Sequence, residues 1–146
     1  SLFHDKKKLS CLSSAMQLIR ILNAEAEPNT KIFELIENFF LILNCKDWIK
    51  NYIFWELELF SFLGYNLELK KMVTKKIVND NVFYQLNHQS ENRKIPTFLI
   101  EKSFSADDND LFEGLKLVGD FLDKSILRPN NLNQPINRLQ FLNVLK

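Results

Sequence analysis

The chain has 146 residues, of which 46% are hydrophobic and 25% charged, with 13 Phe and only 3 Gly. That is enough apolar material for a core of ordinary domain size, and it excludes a disordered tail or a glycine-rich linker. Lys and Arg total 19 against 18 Asp and Glu, so the net charge of +1 provides no chain-wide electrostatic footprint; attraction for an anionic partner must come from local clustering.

From Leu9 to Ala26, apolar residues recur at Leu12, Ala15, Met16, Ile19 and Leu22, the period of a helix. Pro28 ends that run, and Asn29 or Thr30 can cap a second helix with Phe33, Ile36, Phe40 and Leu43 on its apolar face. Asp47 can cap a third helix from Trp48 to about Leu63, with Gly64 at its C-terminus. This third helix is apolar on most sides, which predicts the central, buried position. The pattern then changes. Residues 67–92 carry Lys70, Lys71, Lys75 and Lys76, followed by short β-type runs; Val82–Leu86 reads as a strand and Asn87–Asn92 as its turn. Arg93 to Ile100, containing Pro96, reads as an edge strand or the exit from this insert. Ser105-Ala-Asp-Asp108 resembles a capping box before a helix from Leu111 to Ile126, with Leu111, Leu115, Val118, Phe121 and Leu122 on its apolar face. Gly114 and Gly119 weaken that helix, and close packing against a neighbour would be a reason for them. Arg128-Pro129 stops it, and a last helix runs from Asn133 and Pro135 to near Val144. The predicted fold is mainly α: a single domain over 1–146, a compact bundle of about five helices with a β-hairpin-like insert at about 67–100.

Chemistry is sparse. His4, Cys11, Cys45 and His88 are scattered singly, without the paired spacings of a zinc site. Both cysteines lie in apolar helical company, as reduced, buried thiols of a cytoplasmic protein would. Asp107-Asp108-Asn109-Asp110 lacks the spaced ligands, glycine and terminal Glu of a calcium loop, and reads as helix N-terminal acid complementing the dipole. No Ser–His or Cys–His motif and no phosphate-cradling glycine loop is present, so no catalytic residue and no small-molecule substrate is expected. The longest apolar region, Trp48 to Leu63, is broken by Lys50, Asn51, Glu56 and Glu58, so no membrane span is expected. The chain begins with Ser, and an N-terminal portion is expected to lie outside it.

Two features remain. Lys70, Lys71, Lys75 and Lys76, with Arg93 and Lys94 across a possible hairpin and Phe83 and Tyr84 between, suit single-stranded nucleic acid, since lysines take phosphates and aromatic rings stack bases. Alternatively they form a solvated face with the rings packed inward. The excess of large apolar residues on the first three helices makes either core or a groove for a partner peptide.

Trp55-Glu-Leu-Glu-Leu-Phe-Ser-Phe-Leu-Gly64-Tyr65-Asn-Leu67 resembles the signature of the RecO family, an aromatic followed by E-L-x-L-L-x-x-L-G-[YF]-x-[LV]. Leu111 to Leu122 resembles the family's later helix, L-x-x-[AG]-x-[RK]-x-x-x-x-[FH]-[LM]; Leu127-Arg-Pro129 and Pro135-Ile-Asn-Arg138 follow in family order. The resemblance covers essentially the whole chain. It implies the C-terminal helical part of a DNA recombination mediator, with an N-terminal OB-fold absent here. It also implies binding of single-stranded DNA, of RecR and of the acidic C-terminal tail of the single-strand-binding protein SSB, assistance in loading RecA, and a bacterial, nucleoid-associated location. In many members the insert is a zinc ribbon; here Met72 stands at the first ligand position and the other ligands are missing, so no cofactor is expected. Some members carry an arginine pair before the signature aromatic that holds the SSB tail, where this chain has Ile53 and Phe54. Lys50, one turn earlier, is the candidate substitute, with Tyr52, Trp55 and Leu59 as candidate socket walls. The expectation is a non-enzymatic mediator module; the rival readings are a helical scaffold without a nucleic-acid role and an enzyme with an unrecognised site.

Overall fold

The computed structural model describes residues 2–23, 29–87 and 93–146. Helices α1 (Leu2–Leu22), α2 (Thr30–Leu43) and α3 (Trp48–Phe62) are followed by a short helix α4 (Leu69–Met72) and strands β1 (Val73–Val78), β2 (Asn81–Leu86) and β3 (Lys94–Ile95). Helices α5 (Asp108–Phe121) and α6 (Ile136–Val144) complete the chain. The fold is mainly α with a small antiparallel sheet of order β1-β2-β3, as the sequence predicts. The expected stop at Pro28, the turn residue His88 and the side chain of His4 lie outside the described residues.

Helix α3 is the axis of the core, because its apolar residues occupy more than one face. It buries Trp48, Tyr52, Ile53, Trp55, Leu59 and Phe60, packing against α2 on one side and α5 on another, while α1 packs along α6. Tyr52 and Trp55 stack with ring centroids 5.6 Å apart, and the rings of Phe39 and Phe141 meet Tyr52 edge-on. Rings of this size bury much apolar area, and their polar ends need partners. Trp55 Nε1 donates to the Leu35 carbonyl at 2.8 Å, and the Tyr52 hydroxyl meets Ser14 Oγ at 3.1 Å. Leu63 caps α3, and Gly64 carries the chain out of it at φ +97°, a conformation only glycine adopts without strain.

The local stop and start signals hold with small shifts. Asn29 caps α2 through a hydrogen bond from the Lys31 amide to its side chain. Asp47 precedes α3 but makes no side-chain cap. The capping box of α5 is Asp107–Asp110 rather than Ser105–Asp108, with Asp107 accepting from the Asp110 amide and Asp110 from the Asp107 amide. A π-helical turn (Leu122–Leu127) and a 3-10 turn (Arg128–Asn130) then end that helical run. Helix α1 begins at Leu2 rather than Leu9.

The face of α2 differs from the expected one. Ile32, Leu35 and Phe39 are buried, whereas Phe33 is 59% and Phe40 47% exposed. Apolar residues surround most of this helix, so periodicity leaves its orientation open, and contact with α3 selects the face. Cys11 is buried as expected, but Cys45 is exposed, because it lies past the end of α2 in the turn before α3.

The insert also departs from its sequence reading. Residues 73–78, which the sequence marks only by the lysines ahead of its β-type runs, are a full strand pairing with β2 from Val73↔Leu86 to Val78↔Asn81. In addition to the expected connection over 87–92 between β2 and antiparallel β3, of which 88–92 lie outside the described residues, a hairpin turn at Asn79-Asp80 therefore joins β1 to β2. Both turn residues have positive φ, 52° and 64°, as a tight two-residue hairpin requires and as Asn and Asp tolerate best. Strand β3 adds only Ile95 opposite Tyr84 and Lys94 opposite Gln85.

Candidate functional site

Side chains alternate faces along a strand, and directly opposed residues share a face. The register therefore divides the lysine run. Lys75 lies opposite Tyr84, which in turn lies opposite Ile95; Tyr84 and Ile95 are buried, so this face turns toward the helices. Lys76 lies opposite Phe83 on the outer face, together with Thr74, Gln85 and Lys94. Lys94 Nζ sits 4.4 Å from the Phe83 ring centroid, a cation–π contact at a half-exposed ring. The outer face of the sheet thus presents one aromatic ring between two ammonium groups.

The other expected phosphate ligands separate from this pair. Lys70 and Lys71 are exposed on α4, and Lys71 pairs with Glu68 at 2.9 Å. Arg93 turns the opposite way, donating to Asp120 of α5 at 2.7 Å. It clips the sheet to the helical body. Tyr84 makes a second tie, its hydroxyl donating to Glu101 at 3.0 Å.

The expected peptide socket needs correction. Tyr52, Trp55 and Leu59 are all fully buried core residues, and none offers a wall to a ligand. The reason is the all-round apolar character of α3, which sends all three into the core, Tyr52 and Trp55 against Phe39 of α2 and Tyr52 against Phe141 of α6. Lys50 lies at the surface and donates to the Phe104 carbonyl at 2.7 Å.

A groove that does exist lies one helical face away, with a volume of about 710 Å³. Phe54, Leu57, Leu67, Leu69 and Leu99 supply its apolar lining, and Lys70, Lys71 and Lys102 supply cations. Lys102 Nζ stands 4.8 Å from the Phe54 ring centroid. Glu58 and Glu68 are the acids on this rim. Phe54 carried a signal in the sequence, as the residue immediately before the signature aromatic. Lys102 carried none, since its place depends on how the chain after β3 returns across α3.

Behind the groove, α3 is locked to α5 and α6 by a buried ion pair. Arg138 Nε and Nη2 donate to Glu56 at 3.0 and 2.8 Å, and Nη2 also donates to the Leu115 carbonyl at 2.7 Å. Glu56 is completely buried and Arg138 nearly so. Burial by itself lowers the guanidinium's pKa, but the charge and hydrogen bonds of Glu56, with Tyr52 and Asp120 adding, leave it raised. Nearby, burial and then Glu56 push the Tyr52 hydroxyl and the Cys11 thiol well above their ordinary values. The two helical glycines serve this packing: a Cβ on Gly119 would sit 2.5 Å from Arg138 Nη1, and one on Gly114 would sit 2.7 Å from Phe98 Cζ.

Among the described residues, no three His, Cys, Asp or Glu side chains come together as a metal-ligand set, and no helix is long and apolar enough to cross a membrane. Fold and geometry together define a mainly helical domain that carries a basic hairpin and a lysine-rimmed apolar groove. The chain belongs to the RecO family: residues 4–133 match the family model described as "Recombination protein O C terminal". It is similar to the DNA repair protein RecO of Rhodospirillum centenum, with 26% identity covering 97% of this chain and 62% of that protein. The corresponding protein of Caulobacter vibrioides is 25% identical over 99% of this chain and 65% of its own length, and that of Anaplasma marginale 24% over 95% and 66%. The chain therefore spans a little under two thirds of the length of these relatives. No solved structure matches it.

Proposed function

We propose that this chain is the helical module of a DNA-repair and recombination mediator, acting by binding rather than by catalysis. The observation that carries the reading is the groove beside α3, whose apolar floor and lysine rim suit an acidic peptide that ends in a hydrophobic residue and a free carboxylate. The C-terminal tail of SSB has that chemistry. Phe54 and Leu57 would take the apolar side chain, with Lys102 and Lys70 near the acids; Lys50 is left out of this role, because it is engaged at Phe104. The outer face of the sheet, with Lys76, Phe83 and Lys94, would hold single-stranded DNA, the ammonium groups on phosphates and the ring on a base. Through these contacts the module would assist the handling of single strands, alongside RecR and ahead of RecA loading.

Zinc does not fit the donors of the insert. Met72, a weak thioether donor, stands where zinc-bearing members place their first cysteine, and the sheet is tied to the helices by Arg93 on Asp120 and Tyr84 on Glu101. The module is read as cofactor-free.

Fluorescence titration with an SSB tail peptide and with labelled single-stranded DNA, each at two salt concentrations, tests the proposal. Saturable peptide binding that weakens in Lys102→Glu and Phe54→Ser, and salt-sensitive DNA binding that weakens in Lys76→Glu, are expected. Loss of one phosphate contact should lower the salt slope by about one. No binding of either ligand by the wild-type chain would refute the proposal and leave a helical scaffold.

A further inference from the structure

The hairpin reaches farther than the body that supports it. On its inner face Val73, Tyr84, Leu86 and Ile95 pack toward the helices, yet the next pair on the same face, Ile77 opposite Val82, has nothing beneath it. Ile77 is 67% exposed, Val82 41% and the neighbouring Val78 53%. Three β-branched residues thus stand in water at the tip of the strand pair, Ile77 and Val82 on the inner face and Val78 on the outer, close to the tight Asn79-Asp80 turn. Stability alone gives no reason for this, since polar residues would serve the overhang as well. The root, in contrast, is tied to the helical body by Arg93 on Asp120 and by Tyr84 on Glu101.

We propose that this tip is a wedge for nucleobases, inserting its Ile77–Val82 face at the last base step where single and double strands meet and partly unstacking it. Charge selects the occupant: Lys75 and Lys76 follow directly behind the apolar pair on the two faces of β1, with Lys94 across the sheet. Ammonium groups on a shaft behind an apolar tip match a polyanion whose apolar faces lie inside its phosphate rails. Aliphatic side chains are known to act on DNA in this way, entering at a base step while basic neighbours hold the backbone. A lipid surface is the weaker match, because only three small apolar side chains would enter.

This inference rests on the proposed DNA binding but goes further, since phosphate contacts alone need no apolar tip. The test is a forked DNA carrying 2-aminopurine at the last base pair of the duplex, titrated with the wild-type chain and with Ile77→Ser/Val82→Ser. Both residues are exposed, so the variant should keep its fold, checked by circular dichroism. The expected result is a rise in 2-aminopurine fluorescence with the wild type that the variant loses, and affinity for the fork lower by about tenfold, the scale of one lost base contact. The salt slope should not change, because no lysine is removed. Salt-sensitive binding with no fluorescence change, or with the same change in the variant, would overturn the wedge and leave the DNA reading standing. No DNA binding at all would overturn both. Binding to anionic phosphatidylserine vesicles that the variant loses, without a fork signal, would assign the tip to membrane instead.

Discussion

Replacing Arg138 with Met removes the guanidinium that satisfies both oxygens of a completely buried carboxylate and also donates to the carbonyl of Leu115. The lost Coulomb attraction is not the main cost. Glu56 has no exposed surface, so once unpaired it cannot turn to water, and breaking such a pair from one side costs about 3–5 kcal/mol. Against a total stability of roughly 5–15 kcal/mol for a domain, that is a large share. At about 2–4 °C per kcal/mol for a chain of this size, the melting temperature should fall by about 10 °C. The second half of the experiment separates desolvation from packing. In Arg138→Met/Glu56→Leu both charges are gone and no buried charge is left unpaired, while the Leu115 carbonyl, inside α5, keeps its helical hydrogen bond. The double variant should therefore be more stable than Arg138→Met alone. Urea unfolding followed by the fluorescence of buried Trp48 and Trp55 reads both numbers, provided the denaturant slope is unchanged. Additive single-variant costs, or a cost below about 1 kcal/mol for Arg138→Met, would refute the account of a coupled, desolvated pair.

Gly119→Ala should cost about 1–3 kcal/mol by pushing a Cβ onto Arg138 Nη1, and urea unfolding should show most of that cost gone in an Arg138→Met background. A thiol reagent should titrate exposed Cys45 quickly in the native protein and reach buried Cys11 only on unfolding. The raised pKa of Cys11 also makes stability pH-dependent: the folded chain keeps its proton where the unfolded chain loses it. Stability is thus fully present below the unfolded thiol pKa of about 8.5 and declines above it, by up to about 1.4 kcal/mol per pH unit; Cys11→Ala should remove that slope. Arg93→Ala opens a partly exposed ion pair and should cost less than about 1 kcal/mol in global unfolding. Hydrogen exchange should nonetheless show faster opening of β3, which pairs through only two residues.

Helices were legible in the sequence because their signals are local. The period of α3, the stop at Gly64 and the polar cap at Asn29 all lie within a few residues of what they determine. Strand β1 was hidden because Lys75 and Lys76 are adjacent, one on each face of a sheet edge, so charge on both faces masks the two-residue period. The basic set was visible as a composition, but its division was not: a strand register sends Lys75 and Lys76 to opposite faces, and a salt bridge takes Arg93 away from both. The socket failed for a related reason. Three faces of α3 are apolar, and which one stays open depends on where α2, α5 and α6 dock.

By itself the sequence determined the helical class, the position of the insert, the central role of α3 and the two glycines that demand close packing. Tertiary structure alone decided which face of α2 is core, which lysines share a surface, that Phe54 and Lys102 line one groove, and that Glu56 meets Arg138 across 82 residues. Hydrophobic period and capping act between neighbours along the chain, so a reader of residues can see them. Burial of a charge, a hairpin that overhangs its support and the choice between equivalent apolar faces depend on segments brought together only by folding. They are decided by the cost of leaving polar groups dry and apolar groups wet in the assembled whole.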